Sequence, residues 1–397
     1  MWFRRKGAAE PSTAPASGDD TPRETSRDAD PHRAAFILMG LGGAAVSAFG
    51  LAAIQSIFAP TFLALVLTIC VHPLRTTLIK RGVPRGLATG SVILTVVLLL
   101  AAFGWALFVA FAQFTTLLPH YGPQLQAALE SFGDWLASLG IGQAQVEAII
   151  SGFDPSRLVA LAGGLLGSAA GVTTGLVIVL TMLILMAADA GFGPTLLHQL
   201  EPRRPALVSA LVEFAHGVRS YMVVTTALGV AQGVINGVAL ALLGIPGAAL
   251  WGMLAFLCSF IPNIGYFIAI IPPLVFGALV GGWPLVVAVV VIYGIINAVI
   301  QSIIQPKVVG NAVALSQTLT FFSVLFWAVV AGPVGAILAI PLSLLVRMLL
   351  VDSNPRARWL RPALGDLTST KALLDAETAD AKGARRAAKA AKADGRR

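Results

Sequence analysis

Long stretches without a charged side chain dominate the pattern of this chain. No Asp, Glu, Lys or Arg occurs from Ala34 to Leu74, from Gly86 to Leu129, or from Leu158 to Ala188. From Ser220 to Val351 only Lys307 and Arg347 interrupt the run. A helix that crosses the hydrocarbon core of a bilayer needs about 20 apolar residues, so each gap holds one crossing or more. A transmembrane barrel would instead alternate apolar and polar positions in segments of about 10 residues. These runs do not alternate, and they predict an all-α polytopic membrane protein.

The punctuation between runs divides the chain further. Ala34 to Val71 suits a pair of short helices that turn at Gly50, with Pro60 in the second arm. The link "HPLRTTLIKRGVPRG" carries Arg75, Lys80, Arg81 and Arg85 without an acid, the signature of a cytosolic loop. Leu87 to Phe111 is the third span, completing a block of three membrane helices over 34–111. Residues 112–162 follow as an amphipathic outer-face segment. Within it Leu125, Leu129, Phe132, Leu136 and Leu139 share one side of a helix. A fourth span covers about 165–188 and a fifth about 223–243, ending at "GIPG". Two later pieces, 248–280 and 317–350, are long but broken near the middle, and the unbroken apolar helix Leu285–Ile304 lies between them. If each broken piece turns back at its break, it starts and ends on one side, and the middle helix supplies the single crossing. The count then gives about eight membrane segments, including two re-entrant-type helical hairpins that enter from opposite sides. Residues 163–351 form the expected transport core. Residues 1–33 and the basic stretch 352–397 read as disordered cytosolic tails, the latter facing anionic lipid.

Composition agrees: 57% of residues are apolar and 12% charged, about half the charged fraction of a soluble domain. The net charge of +8 comes from segments flanking the apolar runs, so it signals topology and not nucleic-acid binding. Cys70 and Cys258 lie inside apolar runs and form neither a metal-ligand spacing nor a disulfide framework. No phosphate-binding loop, H-E-x-x-H or G-x-S-x-G element is present. The sequence points to no enzyme, metal or cofactor.

The helix breakers stand out against this background. In hydrocarbon every backbone amide needs an internal partner, and a break is tolerated only where protein or a wet cavity satisfies the freed groups. Pro262 removes a donor and Gly265 permits a reversal; Pro333 and Gly335 are expected to do the same in the second piece. Each break leads to another proline, "AIIPP" at 269–273 and Pro341 in "LAIP". Opposed broken helices meeting near mid-membrane build the solute site of many secondary transporters. Polar residues add to the picture. Asn297, Gln301 and Gln305 recur every four positions, as do Gln232 and Asn236, and Asn263 falls at the first break. No Asp or Glu lies between Glu213 and Asp352, which disfavours a proton relay but leaves open sodium held by carbonyls and amides.

Three stretches carry a resemblance. "LWGMLAFLCSFIPNIGYFIAIIPPL" (250–274), "IIQPKVVGNAVALS" (303–316) and "VLFWAVVAGPVGAILAIPLSLLV" (324–346) resemble, in order, the core elements of the autoinducer-2 exporter family. "RGVPRGLA" (81–88) is similar to the family's basic link. The resemblance implies about eight membrane segments and movement of a small polar solute, in some members the furanone-type signal autoinducer-2. Other members look like sodium/proton antiporters. It adds Pro306 and Gly310, of the Q-P-K-x-x-G element, to the expected pathway. Tyr266 stands where many members carry Pro, and it becomes a candidate for solute choice. The pathway so expected comprises Asn236, Pro262, Asn263, Gly265, Tyr266, Asn297, Gln301, Gln305, Pro306, Gly310, Pro333, Gly335 and Pro341. The expected function is an inner-membrane permease with both termini cytoplasmic, working by alternating access on a small polar solute or a monovalent cation. Its other partner is the lipid bilayer, with no nucleic acid, and homo-oligomerisation is left open. The alternatives are a cation antiporter and, from a different class, a non-transporting scaffold held through the Leu125–Leu139 face.

Overall fold

The structure is a computed structural model describing residues 31–121, 123–124, 127, 169–304, 315–364 and 377–378. All regular structure among these residues is helical. In chain order the main helices are α1 (Pro31–Ala53), α2 (Gln55–Lys80), α3 (Arg85–His120), α4 (Ala169–Asp189), α5 (Gly193–Leu200) and α6 (Pro205–Leu242). There follow α7 (Ala248–Cys258), α8 (Gly265–Asn297), α9 (Gln317–Ile337) and α10 (Ala339–Arg347). The chain divides into two units, Met1–Ala48 and Phe49–Arg397. In the first, α1 presents Leu38, Met39, Leu41 and Val46 to its surroundings, each more than 60% exposed. All other elements lie in the second unit.

Five described helices are long and apolar enough to cross a membrane: Gln55–Lys80, Arg85–Ala106, Pro205–Leu242, Gly265–Gln301 and Gln317–Ile337. The pair Thr173–Asp189 and Gly193–Leu200, bent by 62°, makes a sixth. Their outward faces are apolar: Leu98, Trp105, Val234, Val238 and Val329 are all more than half exposed. In water such a surface would aggregate; in a bilayer it is the solvated face. This is a multi-pass membrane protein.

The first turn falls later than Gly50. Helix α1 runs through it, and the chain breaks at Ile54, whose φ of −109° and ψ of 18° are not helical. A lone glycine inside a hydrogen-bonded run is tolerated at a cost of about 1 kcal/mol. Helix α6 likewise begins at Pro205, well before the fifth span expected at 223, because the polar turn "EPRRP" ends only there.

Helix α6 organises the core, and glycines set its contact with α7. Gly229, Gly233 and Gly237 recur every four residues and turn one bare stripe toward α7. A Cβ on Gly233 would stand 2.7 Å from the Gly252 carbonyl oxygen, and one on Gly252 would stand 2.6 Å from that of Gly233. The two backbones therefore touch directly, the usual route to tight helix packing in lipid. Gly229 abuts Ser259, while Gly237 abuts the Ala248 carbonyl, so α7 runs antiparallel to α6. On the other side, Arg219 of α6 donates through Nε to the Ile69 carbonyl of α2 at 3.1 Å.

Three reversals follow. Between α7 and α8 the chain turns at Ser259–Ile264, and Trp251 meets Phe276 with ring centroids 5.3 Å apart. Helix α8 consists of two arms and folds back at Gly282 (φ 63°, ψ −155°). A Cβ on Gly277 would lie 3.7 Å from Val289 Cγ2, and one on Gly294 would lie 4.0 Å from the Tyr266 hydroxyl. A straight helix would hold those pairs roughly 18 and 42 Å apart. The expected unbroken helix Leu285–Ile304 is thus the second arm of α8, ending in a π-helical turn, Ala298–Ile304. The last reversal lies in α9 at Ala331–Gly332, where Gly332 has φ 67° and ψ −161°. Trp327 Nε1 then donates to Ser343 Oγ of α10 at 3.1 Å across the hairpin. Between this pair of arms an apolar cleft of about 400 Å3 opens, lined by Phe322, Phe326, Val346 and Leu350 and by Leu360 and Leu364 beyond α10.

Candidate polar pathway at the helix reversals

Each reversal rests on local chemistry somewhat different from that expected. At the first, the residue in the left-handed region is Asn263 (φ 64°), not Gly265, and it is the one non-glycine with positive φ among the described residues. Asn tolerates this conformation better than most side chains. The Ile264 N–H donates to the Pro262 carbonyl at 2.7 Å, closing a tight turn around it. Gly265 is needed for space: a Cβ there would overlap the Cys258 carbonyl. At the last reversal Gly332 supplies the torsion, and Pro333, exposed, opens the returning arm. Gly335 repeats the role of Gly265, since a Cβ there would overlap the Trp327 carbonyl. The expected breakers Pro333 and Gly335 therefore sit just past the true turn. Pro341 is buried within α10.

The first tip reaches α6 at Gly229, through Ser259, after entering from the C-terminal end of that helix. The second hairpin is anchored near the other end. Its Arg347 pairs with Glu213 of α6 (Nη2 to Oε1, 3.5 Å) and with Asp352 (Nε to Oδ2, 3.1 Å). Arg361 completes a four-membered network, with Nε 2.7 Å from Asp352 and Nη2 3.1 Å from Glu213. From Arg347 back to Gly332 is roughly 22 Å of helix. Helix α10 packs against α6. At the second tip Gly332 abuts Gln55 Oε1 of α2.

Unpaired polar atoms lie on α6 and on the second arm of α8: both amide atoms of Asn236, the Tyr293 hydroxyl and Asn297 Oδ1 are buried without a hydrogen-bond partner. Asn236 is 0% exposed. Each unsatisfied buried group costs about 1–3 kcal/mol, and lipid offers no compensation. Gln232 is also buried, 5% exposed, one turn before Asn236. The antiparallel register of α8, with Gly277 against Val289 and Tyr266 reaching Gly294, sets Asn297 level with the first tip. Asn263 and Gln301 are half-buried there, Gln301 within the π-helical turn. Tyr266 is half-buried, its ring edge-on to Phe267 with centroids 5.2 Å apart. Gln305, Pro306 and Gly310 lie outside the described residues, as do Lys307 and the Leu125–Leu139 face.

Sequence reasoning missed two contributors. Tyr293 hides in the apolar run "VVVIYGIIN", although it precedes Asn297 by one helical turn. Glu213 looked like an ordinary charge at the membrane edge, and its partners lie 134 and 148 residues away at Arg347 and Arg361. No group of three or more His, Cys, Asp or Glu capable of holding a metal ion occurs among the described residues.

The profile of the AI-2E family transporters matches residues 35–352, a stretch that contains every helix from α2 to α10. The chain belongs to this family. The AI-2 transport protein TqsA of Escherichia coli (strain K12) is 29% identical over 318 residues, 79% of this chain and 91% of that one. YhhT of the same organism, named as a transport protein without a stated solute, is 27% identical over 307 residues, 77% and 88% of the two chains. A Mycobacterium tuberculosis relative, MT0215, named in the same way, is 28% identical over 309 residues, 72% and 80%. The family is one of transporters, and a general permease role follows for this chain.

Proposed function

We propose that this AI-2E family member moves a small, neutral, polar solute across the bacterial inner membrane by alternating access. The observation that carries the reading is the pair of chain reversals, Pro262–Gly265 and Ala331–Gly335, in a chain that also buries unpaired polar atoms of Asn236 and Asn297. In this reading both reversals are tips of re-entrant hairpins that enter from opposite faces. They complete about eight membrane segments together with α1 to α4, α6 and the second arm of α8. Both termini are cytoplasmic. The tips flank the solute, and small tilts of the hairpins against α6 open the site alternately to each side.

Chemistry narrows the solute. A carboxamide offers one acceptor and two donors, a hydroxyl offers both, and no carboxylate lies between Glu213 and Asp352. A hydroxylated neutral molecule complements such a lining better than a cation does. The similarity to TqsA makes autoinducer-2 the first molecule to test.

The test is efflux and uptake in vesicles containing purified protein, with autoinducer-2, a set of polyols, and sodium with a pH-sensitive dye. Autoinducer-2 or polyol flux that falls on replacing Asn297 supports the proposal. Sodium-dependent pH change without solute flux replaces it with cation antiport. Flux that is absent while cellular function depends on the Leu125–Leu139 face would leave the scaffold reading standing.

A further inference from the structure

We infer that the seam between α6 and the second arm of α8 is hydrated and binds the solute, and that the Tyr293 hydroxyl is a specificity-determining group within it. This rests on the transport reading above but adds a residue and a place to it. The first arm of α8 runs antiparallel to α7, as the Trp251–Phe276 contact shows, and α7 runs antiparallel to α6. The second arm, folded back at Gly282, therefore runs antiparallel to α6. Leu240 of α6 and Val289 of α8, each 0% exposed, belong to one apolar cluster that also includes Tyr293. One turn from Leu240 along α6 stands Asn236, and one turn from Val289 along α8 stands Tyr293; Gln232 and Asn297 follow one turn further on their own helices. The seam thus changes from apolar to polar within a single turn.

Three of these four polar residues carry buried atoms left unsatisfied. Tyr293 is 1% exposed and Asn236 0%, yet neither the hydroxyl nor either amide atom has a partner, and Asn297 Oδ1 is in the same state. Packing alone does not explain them, because Phe in place of Tyr293 and Leu in place of Asn236 would fill similar volumes without an unpaired group. Buried polar groups of this kind are normally met by water or ligand. The rungs named here carry no formal charge, so their complement is a neutral molecule that both donates and accepts, with water in its place when the site is empty.

Hydroxyl-radical footprinting of the full-length protein in lipid nanodiscs tests hydration without knowledge of the solute. Phe276, 4% exposed in the same apolar cluster, is the dry reference. Water held beside Tyr293 should make its oxidation about tenfold faster than that of Phe276. Equal rates mean a dry seam and overturn the inference, whatever the protein transports. In vesicles that carry autoinducer-2, Tyr293→Phe should raise KM about tenfold with kcat changed less than about twofold. A wet seam with an unchanged KM overturns the specificity role. If the wild type moves no autoinducer-2, that choice of solute fails, while the footprint still decides whether the seam is wet.

Discussion

Replacing Gly265 with alanine tests the reversal geometry most directly. The added methyl would overlap the Cys258 carbonyl oxygen, and both groups belong to backbone, so no rotamer change relieves the contact. Overpacking a well-filled site costs about 1–3 kcal/mol, and this clash belongs at the upper end. About 3 kcal/mol corresponds to a roughly 100-fold loss in the population of the closed turn. Two further alanines calibrate the result. At Gly282 nothing lies within 4 Å, but φ is 63°, so torsional strain of about 1–3 kcal/mol acts without a clash. At Gly294 the nearest atom is the Tyr266 hydroxyl at 4.0 Å, and a mid-helix alanine should stabilise by about 0.5–1 kcal/mol. Thermal midpoints of the purified protein in detergent, read by intrinsic tryptophan fluorescence, should rank Gly294→Ala above wild type, then Gly282→Ala, then Gly265→Ala. Solute flux should be lost in Gly265→Ala and kept in Gly294→Ala. A Gly265→Ala protein with wild-type midpoint and flux would refute the close approach of α7 and α8.

Other substitutions probe the remaining supports. Asp352→Ala removes the carboxylate 3.1 Å from buried Arg347 and leaves the half-exposed Glu213 carboxylate at 3.5 Å. It should cost about 3–5 kcal/mol, and the double variant with Arg347→Met should recover much of the loss in the same thermal assay. Gly233→Val would drive two methyls toward the Gly252 carbonyl, 2.7 Å from the first added carbon. It should part α6 from α7 and lower the midpoint more than Val238→Ala, a change on the exposed face of α6. Asn297→Leu removes the unpaired Oδ1, so the midpoint should rise by about 1–2 kcal/mol equivalents while solute flux falls.

The apolar runs were readable because a helix in lipid must satisfy its backbone internally, and composition alone enforces that. Boundaries were less so. Pro205 opens α6 eighteen residues before Val223 because a membrane helix extends into the polar region until its capping chemistry ends it, not where hydropathy falls. The breaks at 260–265 and 331–335 were visible as Pro and Gly clusters, but their roles were exchanged. Asn263 and Gly332 bear the torsion, while Gly265 and Gly335 make room for a facing carbonyl. Sequence shows that a glycine is present; only packing shows whether it serves torsion or proximity. The Gly282 reversal falls in the gap between the segments expected to end at 280 and to begin at Leu285. The stripe Gly229–Gly233–Gly237 stands in "GVAQGVING" as small residues four apart, but the sequence reading took only Gln232 and Asn236 from that stretch. The ion network was not legible, because its members are scattered over nearly 150 residues.

The charge pattern bears on the choice between the two proposed transport readings. Only two charged residues occur from Ser220 to Val351, and one of them, Arg347, is held by Glu213 and Asp352 at the base of the second hairpin. A bare charge deep in hydrocarbon costs several kcal/mol, so a sodium ion there needs a close shell of anionic or carbonyl oxygens. Around the first tip the Pro262 carbonyl accepts from the Ile264 N–H and the Phe256 carbonyl from Ser259 Oγ, and the Asn263 and Asn297 side chains add neutral amide donors and acceptors. Such groups match a neutral solute. Sodium or lithium chloride should therefore leave the thermal midpoint where an equal concentration of choline chloride leaves it, while the transported solute raises it. A sodium-specific rise, abolished by Asn297→Leu, would reverse this assignment and make the same tips a cation site.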